Sequence, residues 1–351
     1  MFFGSRNLVG IDIGSRFIKF AELSRSGNVV KINKVKIVQT PDGAYSGGDL
    51  VNLDILAEAL THYVKEFRFK SKKVAFSIQG SSVIVKKITM LKVDRKILDQ
   101  QIRWEAEQYI PFDLNQVSLA YHILGVESGS DACNVLLVAA QNSVLNTLKN
   151  LAQKSGLDLA VMDVSAFALY NLIETTLGKK KISNSLLLHI GAHVTHLLII
   201  INGVIEFVRD ISIGSHLCTL EIHKELGVSV DEAETLKIGL SRGEGVPEEV
   251  HRVVDLFNQQ LAEEIKNSID YFLSTAPEGI QFGSILISGG GSFGYGLLDK
   301  IADVTQLTCQ ALNLNNLVQI TDVNSGVKVA DLSAFCPIAM GLALRKKGDE
   351  E

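Results

Sequence analysis

Apolar residues at the start of the chain fall in runs of strand length, which turn residues separate. Residues 8–23 form two such runs about a turn at Gly14, and a third run follows at 30–38. An amphipathic segment at 53–67 has helical spacing, and a further apolar run occupies 73–78. These patterns predict the order β-β-β-α-β, because apolar runs of this length are typical of strands and a spacing of three to four residues is typical of helices.

The same order of elements returns in the second half of the chain. Apolar runs cover 187–198 and 204–213, a helical pattern covers 215–226, and a further apolar run covers 284–288. A single helix over 334–344 is predicted to close the chain. The chain is therefore predicted to be a duplicated unit, and a repeat of this length indicates two lobes rather than a solenoid.

A constant shift along the sequence aligns the first hairpins of the two copies. The equivalent positions are His189 and Asp12, Gly191 and Gly14, and His196 and Lys19. Each copy also ends its last strand in a turn of small residues, at 79–82 in the first copy and at 289–292 in the second. The matching turns support the interpretation that the unit is duplicated.

Two insertions interrupt the duplicated unit. The first has the predicted order β-α-β-β-α and is compact enough for a small subdomain, whereas the second repeats apolar positions at helical spacing and is predicted to be all helical. We expect the core of the first lobe at 1–80 and 159–181, the inserted subdomain at 81–158, the core of the second lobe at 182–228 and 280–351, and the helical insertion at 229–279.

The composition is that of a protein with a large core. Apolar residues make up 46% of the 351 residues and charged residues 21%, so a packed interior is predicted and general disorder is excluded. The net charge of -5 argues against nucleic acid as the main partner. The four cysteines lie far apart without a C-x-x-C spacing, which fits a reducing compartment better than a disulfide framework.

One stretch has the length of a membrane span. Residues 182–205 contain no Asp, Glu, Lys or Arg. Three histidines and the Asn202-Gly203 turn interrupt this stretch, so two short buried strands are the favoured interpretation. Met1-Phe2-Phe3 is too short an apolar start for a signal peptide, and it is expected either to fray or to contact a membrane or a neighbouring protein.

The first turn carries residues that can hold a phosphate. Asp12, Gly14, Ser15 and Lys19 lie on or beside one loop. Backbone N–H groups next to a lysine can bind phosphate, and a carboxylate at the end of a strand can hold Mg²⁺ through water. Hairpins with one glycine and one aspartate are common, so a purely structural turn is the alternative. The recurrence of the turn in the second copy favours binding.

Three other features leave alternatives open. The histidines between His189 and His223 invite a zinc site, but no H-E-x-x-H motif is present, so loop and strand histidines are favoured. Trp104 falls off the apolar face of its predicted helix, which fits packing against the first lobe and binding of a partner equally well. Lys179-Lys180-Lys181 is expected to be a solvated linker rather than a lipid contact.

Several motifs together indicate a known family. Two turns that would face each other across a cleft, the glycine run at 289–291 and the helix that carries Ala233-Glu234-Thr235-Leu236-Lys237 resemble the actin, sugar-kinase and Hsp70 ATPase superfamily. The position of the first insertion resembles that of the division protein FtsA. The segments 103–112 (RWEAEQYIPF), 10–15 (GIDIGS) and 340–344 (MGLAL) make nearly the whole chain similar to the PilM family of type IV pilus assembly proteins.

The resemblance implies a fold and a ligand. The implied fold is α/β and two-lobed, an actin-like, duplicated ribonuclease-H-like arrangement with an FtsA-type subdomain inserted in the first lobe. The implied ligand is ATP or ADP with Mg²⁺, which Asp12 would hold through water. The matching positions are Asp12, Gly14, Ser15 and Lys19 in the first phosphate loop, Gly191, Ala192 and His193 in the second, Gly289, Gly290 and Gly291 against the adenosine, and Glu234 and Lys237 toward the ribose and base.

One departure from the superfamily pattern concerns catalysis. The second loop normally begins with an aspartate that helps to hold the water shell of the metal, and His189 stands at that place here. A neutral imidazole is a poor partner for hydrated Mg²⁺. Asp163 and Ser165 lie where the superfamily places its water-orienting group. The resemblance therefore implies nucleotide binding with weak or absent hydrolysis, because phosphoryl transfer relies on the metal and an aligned nucleophile, and no catalytic residue is assigned.

The resemblance also implies partners and a location. It predicts a cytoplasmic scaffold, peripheral at the inner face of the bacterial inner membrane, that serves pilus assembly and twitching motility. The scaffold would bind the N-terminal cytoplasmic peptide of PilN in a groove between the inserted subdomain and the first lobe, and would link other platform proteins to the motor ATPases. The membrane would be reached through these partners, and homo-oligomerisation is left open.

Two alternatives to the scaffold function follow from the same superfamily. The first is an actin-like ATPase or small-molecule kinase, for which the sequence offers no second carboxylate that is reliably placed as a base. The second is a filament-forming, membrane-tethered protein like FtsA, for which the apolar C-terminal helix is missing. ATP turnover with and without candidate substrates would separate the scaffold from the kinase.

Overall fold

The computed structural model describes residues 8–26, 29–91, 95–126, 132–315, 317–320 and 327–346. Met1-Phe2-Phe3, for which fraying or a contact is expected, lies outside the described residues. The first half contains β1 (Val9–Ile13), β2 (Phe17–Ser26), β3 (Val29–Gln39), β4 (Tyr45–Ser46), β5 (Asp49–Leu50), α1 (Leu53–Phe67), β6 (Lys73–Ile78), β7 (Val83–Leu91), α2 (Arg95–Tyr109), β8 (Val117–Val126), β9 (Ala132–Gln141), α3 (Asn142–Lys154), β10 (Asp158–Val164) and α4 (Ser165–Leu177). The second half contains β11 (Ser185–Ile190), β12 (Thr195–Ile201), β13 (Val204–Ile211), α5 (Ser215–Leu226), α6 (Val230–Ser241), α7 (Glu248–Thr275), β14 (Ser284–Ser288), α8 (Leu297–Thr305), β15 (Cys309–Ala311), β16 (Val318–Ile320), α9 (Val329–Phe335) and α10 (Pro337–Ala343).

Two mixed sheets repeat one strand pattern. The first sheet has the order β10-β6-β1-β2-β3-β16, and the second has the order β13-β12-β11-β14-β15. In each sheet, an antiparallel meander (β1-β2-β3 or β11-β12-β13) is extended by a parallel strand beside its first member (β6 or β14). The predicted two-lobed α/β fold with a duplicated β-β-β-α-β unit is therefore confirmed.

The uncharged stretch at 182–205 forms the antiparallel pair β11 and β12, as predicted. Alternate residues of β11 face two different cores. Leu187 belongs to the core that continues into the first lobe, whereas Leu186 and Leu188 pack into the core that α5, α6 and α7 build on the other face. A strand buried on both faces reads as a continuous apolar run, which explains why the stretch resembles a membrane span. Among the described residues, no helix combines the length and the apolar character that crossing a membrane requires.

The inserted subdomain is a three-stranded antiparallel sheet in the order β7-β9-β8 with helix α2. It has its own core, to which Ile88, Leu98 and Ile102 belong. Helix α3 packs elsewhere, because its Leu151 and Ala152 join the core that α1 and the first sheet share. The inserted block is thus β-α-β-β in its packing, and α3, which the sequence pattern assigns to this block, covers the first lobe instead.

The C-terminal segment returns to the first lobe. β16 pairs in parallel with β3, and α10 packs against α4 and β1. A Cβ atom on Gly341 would lie 1.7 Å from the carbonyl oxygen of Ala168, and one on Gly10 would lie 1.9 Å from that of Ala339. The sequence pattern assigns this segment to the second lobe, and the structure differs because these glycines allow α10 to pack directly on α4 and the first sheet.

The single helix predicted over 334–344 is instead two helices, α9 and α10. Pro337 begins α10 directly after Cys336, the residue that caps the end of α9. Proline has no N–H group for a continuing helix but suits the first helical position, so the chain bends at this point.

In the second lobe, the predicted all-helical insertion is confirmed as α6 and α7, and Ser229 caps α6 in a capping box with Glu232.

Candidate nucleotide site

A cleft of about 550 Å³ lies between the two lobes, and the first hairpin of each lobe reaches it through a glycine turn. The same backbone hydrogen bond closes both turns: the Gly14 N–H donates to Phe17 O at 3.1 Å, and the Gly191 N–H donates to Val194 O at 3.0 Å. A Cβ atom at either glycine would meet that carbonyl oxygen, at 2.9 Å and 2.7 Å respectively. Glycine therefore allows both turns to close, and the predicted equivalence of the turns is confirmed.

One hydrogen bond joins the two turns across the cleft. The Ser15 hydroxyl of the first turn lies 2.7 Å from His193 Nδ1 of the second turn. A Cβ atom on Gly48 would lie 3.0 Å from the His193 ring, so the β4–β5 hairpin also touches this contact. Burial lowers the pKa of His193, although Asp49 acts in the opposite direction. At neutral pH the two lobes are therefore bridged by a neutral imidazole and a hydroxyl group.

Each hairpin also presents one cross-strand pair to the floor of the cleft. Asp12 lies opposite Lys19 in β1 and β2, and His189 lies opposite His196 in β11 and β12. All four side chains line the cleft. The predicted alignment of His189 with Asp12 and of His196 with Lys19 is thus confirmed by the strand register.

The pair in the first lobe is an ion pair. Lys19 Nζ donates to Asp12 Oδ2 at 2.9 Å, and both side chains are largely buried. The Tyr45 hydroxyl group, which donates to Ile13 O at 3.4 Å, has its pKa raised by burial and by the charge of Asp12. The negative charge of Asp12 therefore already has a positive partner within the protein.

His189 is a neutral imidazole at the place where Asp12 stands in the first hairpin. It is 5% exposed, and its Nδ1 atom lies 3.0 Å from Ser288 Oγ. Burial lowers the pKa of His189 well below its ordinary value, and the positive charges of His196 and Lys19 act in the same direction. The second lobe therefore contributes no carboxylate at this position.

His196 connects the two lobes at the cleft floor. Its Nδ1 atom lies 2.6 Å from Asp210 Oδ1 and its Nε2 atom lies 3.0 Å from Gln79 Oε1, while the Gly80 N–H donates to Asp210 Oδ2 at 2.5 Å. Both ring nitrogens face oxygen acceptors, which fits an imidazolium that donates twice. Burial lowers the pKa of His196, but the charge and hydrogen bond of Asp210 outweigh burial, so the pKa is raised. The floor thus carries a buried ion pair of its own.

Helix α6 forms another wall of the cleft through Glu234 and Lys237. Lys237 Nζ lies 2.8 Å from Glu234 Oε2 and donates to Thr219 Oγ1 at 2.7 Å. Arg16 reaches from the first lobe, and its guanidinium nitrogen lies 3.6 Å from Glu234 Oε1. Burial raises the pKa of Glu234, but Lys237, Thr219 and Arg16 outweigh burial and lower it. The carboxylate is therefore ionised and held in one orientation.

The glycine run after β14 allows close packing at the end of the cleft. Gly289 has a φ of 92°, and a Cβ atom there would lie 2.2 Å from Ile190 O. A Cβ atom on Gly290 would lie 2.6 Å from the Phe335 ring, and one on Gly291 would lie 2.4 Å from Ile190 Cγ2. Gly290 and Gly291 line the cleft, whereas Gly289 is not among the lining residues.

Aromatic rings line the cleft beside the glycine run. Phe335 contacts Phe17 with ring centroids 5.7 Å apart and Phe293 with centroids 5.8 Å apart. Asn258, which is 3% exposed on α7, donates from Nδ2 to Tyr295 O at 2.8 Å, and both of these residues line the cleft. An apolar surface with one buried amide can hold a flat heterocycle.

Eleven of the twelve residues predicted to contact a nucleotide line this one cleft, the exception being Gly289. Sequence reasoning did not identify several other lining residues, namely Arg16, Phe17, Tyr45, Gln79, Asn258, Phe293, Tyr295 and Phe335. Asn258 had a signal, because it is a polar residue beside apolar positions of helical spacing in α7. Gln79 also had a sequence signal, because it begins the turn of the first copy that matches the glycine run of the second copy.

The expected water-orienting group lies elsewhere. Asp163 is not among the lining residues, because its Oδ1 atom accepts from the Val164 N–H at 2.8 Å and its Oδ2 atom lies 3.4 Å from Arg345 Nε. Ser165 lies 3.3 Å from Gln79 Oε1, and Gln79 is the residue that reaches the cleft. Asp163 thus lies just before the closing helix, as expected, but outside the lining of the cleft, and its role stays a prediction.

Trp104 on the inserted subdomain is 80% exposed. The alternative in which Trp104 packs against the first lobe is therefore wrong, and the alternative in which it binds a partner stays a prediction. The histidines between His189 and His223, which invite a zinc site, lie on strands, turns and α5. The rings of His189 and His196 stack with centroids 6.0 Å apart. In the described part of the chain, no three His, Cys, Asp or Glu side chains are grouped so that they could hold a metal ion.

Two equivalent sheets, with a glycine turn of each facing one cleft, define an actin-like protein. A chain of the solved PilM-PilN type IV pilus biogenesis complex is similar, with 23% identity, coverage of 97% of this chain and 98% of that chain, and a TM-score of 0.85. The ethanolamine utilization protein EutJ from Carboxydothermus hydrogenoformans has 16% identity, coverage of 95% and 89%, and a TM-score of 0.52. MreB5 of Spiroplasma citri bound to ADP has 14% identity, coverage of 87% and 91%, and a TM-score of 0.50. The family described as type IV pilus assembly protein PilM matches residues 10–347, and the chain belongs to this family.

Proposed function

We propose that this type IV pilus assembly protein is a nucleotide-binding scaffold that binds the N-terminal cytoplasmic segment of PilN. The observation that carries the nucleotide part is the meeting of two equivalent glycine turns at one cleft with Lys19, Lys237 and Arg16. Free backbone N–H groups at such turns and nearby cations are what phosphate groups bind. MreB5 of the same fold was solved with ADP, which supports this proposal.

The proposed contacts follow the geometry of the cleft. The turns at 14–16 and 191–193 with Lys19 would hold the phosphates of ATP or ADP. Glu234 and Lys237, which are fixed by each other, would hold the ribose, and the backbone at 290–291 would lie against the base. Bound nucleotide would supply a bridge between the lobes, because both turns would contact the same phosphate chain.

We assign no hydrolytic step to the cleft. Asp12 Oδ2 is bonded to Lys19, and His189 supplies no carboxylate, so the two cross-strand pairs offer a hydrated Mg²⁺ ion a single carboxylate that a cation already pairs, which is a poor donor set for this metal. A kinase would need a carboxylate base as well, and Asp163 is bound to Arg345 outside the lining of the cleft. Weak or absent turnover is therefore part of the proposal.

The similar chain in the PilM-PilN complex supports the partner part of the proposal. The inserted subdomain also presents large apolar side chains to solvent, which are typical of a surface that binds another protein. These are Leu91, Ile97, Trp104, Tyr109 and Ile123. Through PilN, the protein would lie at the inner face of the inner membrane and link other platform proteins to the motor ATPases.

A pull-down with a synthetic peptide of the PilN amino terminus tests the partner part. We expect capture of the protein, and a Trp104→Ala variant is expected to bind at least about fivefold more weakly, because an aromatic anchor contributes more than about 1 kcal/mol. Tyr271→Ala, which removes an exposed aromatic ring from α7 in the second lobe, is the matched control. No capture with ATP, with ADP or without nucleotide would refute the scaffold proposal.

Binding of a fluorescent ATP analogue tests the nucleotide part separately. Arg16→Ala is expected to weaken binding about tenfold, since a hydrogen bond to a charged group is worth about 1.5 to 3 kcal/mol. Arg252→Ala breaks an exposed ion pair with Glu225 away from the cleft and serves as the control. Equal affinities of the two variants would place the nucleotide elsewhere.

A further inference from the structure

The charged side chains around the cleft are arranged for an anion. The lining includes the cations Arg16, Lys19, Lys237 and Arg242 and the carboxylates Asp12, Glu234 and Asp331. Two of the three carboxylates are in ion pairs with lining cations, Asp12 with Lys19 and Glu234 with Lys237 and Arg16. An excess of cations favours phosphate and opposes the approach of a divalent metal.

The cleft floor offers few oxygen atoms to a metal ion. The carboxylate of Asp12 accepts from Lys19, both oxygens of Asp210 accept hydrogen bonds from His196 and Gly80, and Gln79 Oε1 faces His196. A hard cation needs oxygen ligands that are free to turn toward it or toward its water shell. Four of the oxygens at this floor, namely Asp12 Oδ2, both carboxylate oxygens of Asp210 and Gln79 Oε1, are thus engaged by protein N–H groups, and these groups include two buried positive charges.

His189 completes the arrangement. It stands at the register position that Asp12 holds in the first hairpin. A hydrogen bond of 3.0 Å between His189 Nδ1 and Ser288 Oγ orients its ring. An aspartate here would place a second carboxylate near Asp12 and would offset the charge of Lys19. A buried imidazole does neither, and burial keeps it neutral because its pKa is lowered.

We propose that the cleft binds the nucleotide as the metal-free anion, and that His189 is the residue that sets this preference. The ammonium group of Lys19 and the other lining cations, Arg16, Lys237 and Arg242, then supply the positive charge that Mg²⁺ brings in a metal-dependent site. This inference rests on the proposed nucleotide binding and deepens it, because it names the form of the ligand.

Equilibrium binding of ADP and ATP, measured by calorimetry on the full chain in excess MgCl₂ and in EDTA, tests the inference. For the wild type we expect Mg²⁺ to leave the affinity unchanged or to lower it, because Mg²⁺ competes for the free nucleotide. A tenfold or larger gain of wild-type affinity with Mg²⁺, about 1.4 kcal/mol, would overturn the inference. This measurement needs no variant, so it does not depend on whether a substituted protein folds.

Two variants then assign the preference to His189. His189→Asp restores a second carboxylate, so binding is expected to become at least about tenfold tighter with Mg²⁺ than in EDTA, as carboxylate oxygens attract this ion. His189→Asn is the matched control, because it removes the imidazole without adding charge and is expected to stay insensitive to the metal. Metal dependence in both variants, or in neither, would overturn the role of His189.

The outcome also separates this inference from the proposal on which it rests. No binding in either buffer would overturn the nucleotide proposal and the inference together. Tight binding that requires Mg²⁺ would keep the nucleotide proposal and overturn only the inference. Tight binding in EDTA by the wild type, with metal dependence gained only in His189→Asp, is the result that supports both.

Discussion

Replacing Asp210 by asparagine tests the ion pair at the cleft floor. The change keeps the size of the side chain and removes the negative charge beside His196, which is 2% exposed. Removing one partner of a buried pair typically costs about 3 to 5 kcal/mol when the other charge remains. His196 can release its proton instead, so at neutral pH we expect a loss of about 2 kcal/mol, the range of one hydrogen bond to a charged group.

The pH dependence of this loss is the sharper signature. In the wild type, burial lowers the pKa of His196 but Asp210 outweighs it, so the raised pKa contributes stability that is fully present below the unfolded pKa of about 6.5. This contribution is lost as the pH rises through the folded pKa. Without Asp210, burial prevails and the folded pKa falls below that of the unfolded chain. Below about pH 6.5 the variant then loses about 1.4 kcal/mol for each pH unit relative to the wild type.

Other groups do not produce this slope between about pH 5.5 and pH 7. Burial raises the pKa of Asp210, but His196 and the Gly80 N–H outweigh burial and lower it, so its contribution is present above the unfolded pKa and is lost only at lower pH. The lowered pKa of His189 gives both proteins a similar slope. The cost of Asp210→Asn is therefore expected to grow from about 2 to more than 3 kcal/mol as the pH falls across this range.

Urea unfolding of both proteins at several pH values, without nucleotide, measures this difference. Asp270→Asn is the matched control, since it breaks the exposed pair with Lys266 on α7 and is expected to cost less than about 0.5 kcal/mol at every pH. A cost of Asp210→Asn that does not change with pH would show that His196 is uncharged, and the reasoning would be refuted.

The remaining predictions concern packing, the inserted subdomain and the thiol groups. Gly341→Ala is expected to lower the free energy of unfolding by about 3 kcal/mol or more, because its Cβ would lie 1.7 Å from Ala168 O, whereas Gly245→Ala meets no atom within 4 Å and should change it by less than about 0.5 kcal/mol in the same urea titration. Lys87→Met removes the bridge to Glu206, 2.5 Å long and partly buried, and should cost about 1 kcal/mol, with a null result showing that the bridge is not stabilising. Burial raises the pKa of the thiol groups of two cysteines to about 12 and of a third to about 11, so a thiol reagent at neutral pH should label the native protein far more slowly than the four thiols of the unfolded chain, and fast native labelling would contradict the fold.

The local elements and the duplication could be predicted from the sequence, because they depend on patterns within short stretches. The run of Leu186, Leu187 and Leu188 indicates a strand buried on both faces, and the glycines at 14 and 191 indicate turns. The shift that aligns the two hairpins also places His189 opposite His196 once Asp12 is opposite Lys19. Eleven cleft residues were found in this way because they lie on such turns or match a family motif.

Contacts between distant parts of the chain were not accessible to the same reasoning. The return of α10 to the first lobe depends on the fit of Gly341 against Ala168, and no spacing in either segment specifies that partner. The hydrogen bond from the Gly80 N–H to Asp210 joins residues 130 positions apart. Its donor is a backbone N–H group, and since every turn offers such groups, the sequence does not mark this one. The sequence pattern assigns helix α3 to the inserted subdomain instead of the first lobe for a similar reason. The apolar face of α3 could pack equally well against the subdomain or against α1.

Strand β13 gives the cleft floor a direct route to the inserted subdomain. Asp210 near its end binds His196 and Gly80 at the floor, and Glu206, four residues earlier, binds Lys87 of β7. Glu206 and Asp210 both lie on β13, so one strand carries both contacts, although its register to β12 shifts at Glu206. We expect a ligand that repositions the floor to move β13, and with it the contact to the inserted sheet, unless it breaks the buried pair of His196 and Asp210. Under the proposed function, nucleotide occupancy would in this way alter the surface proposed for a partner without a hydrolytic step.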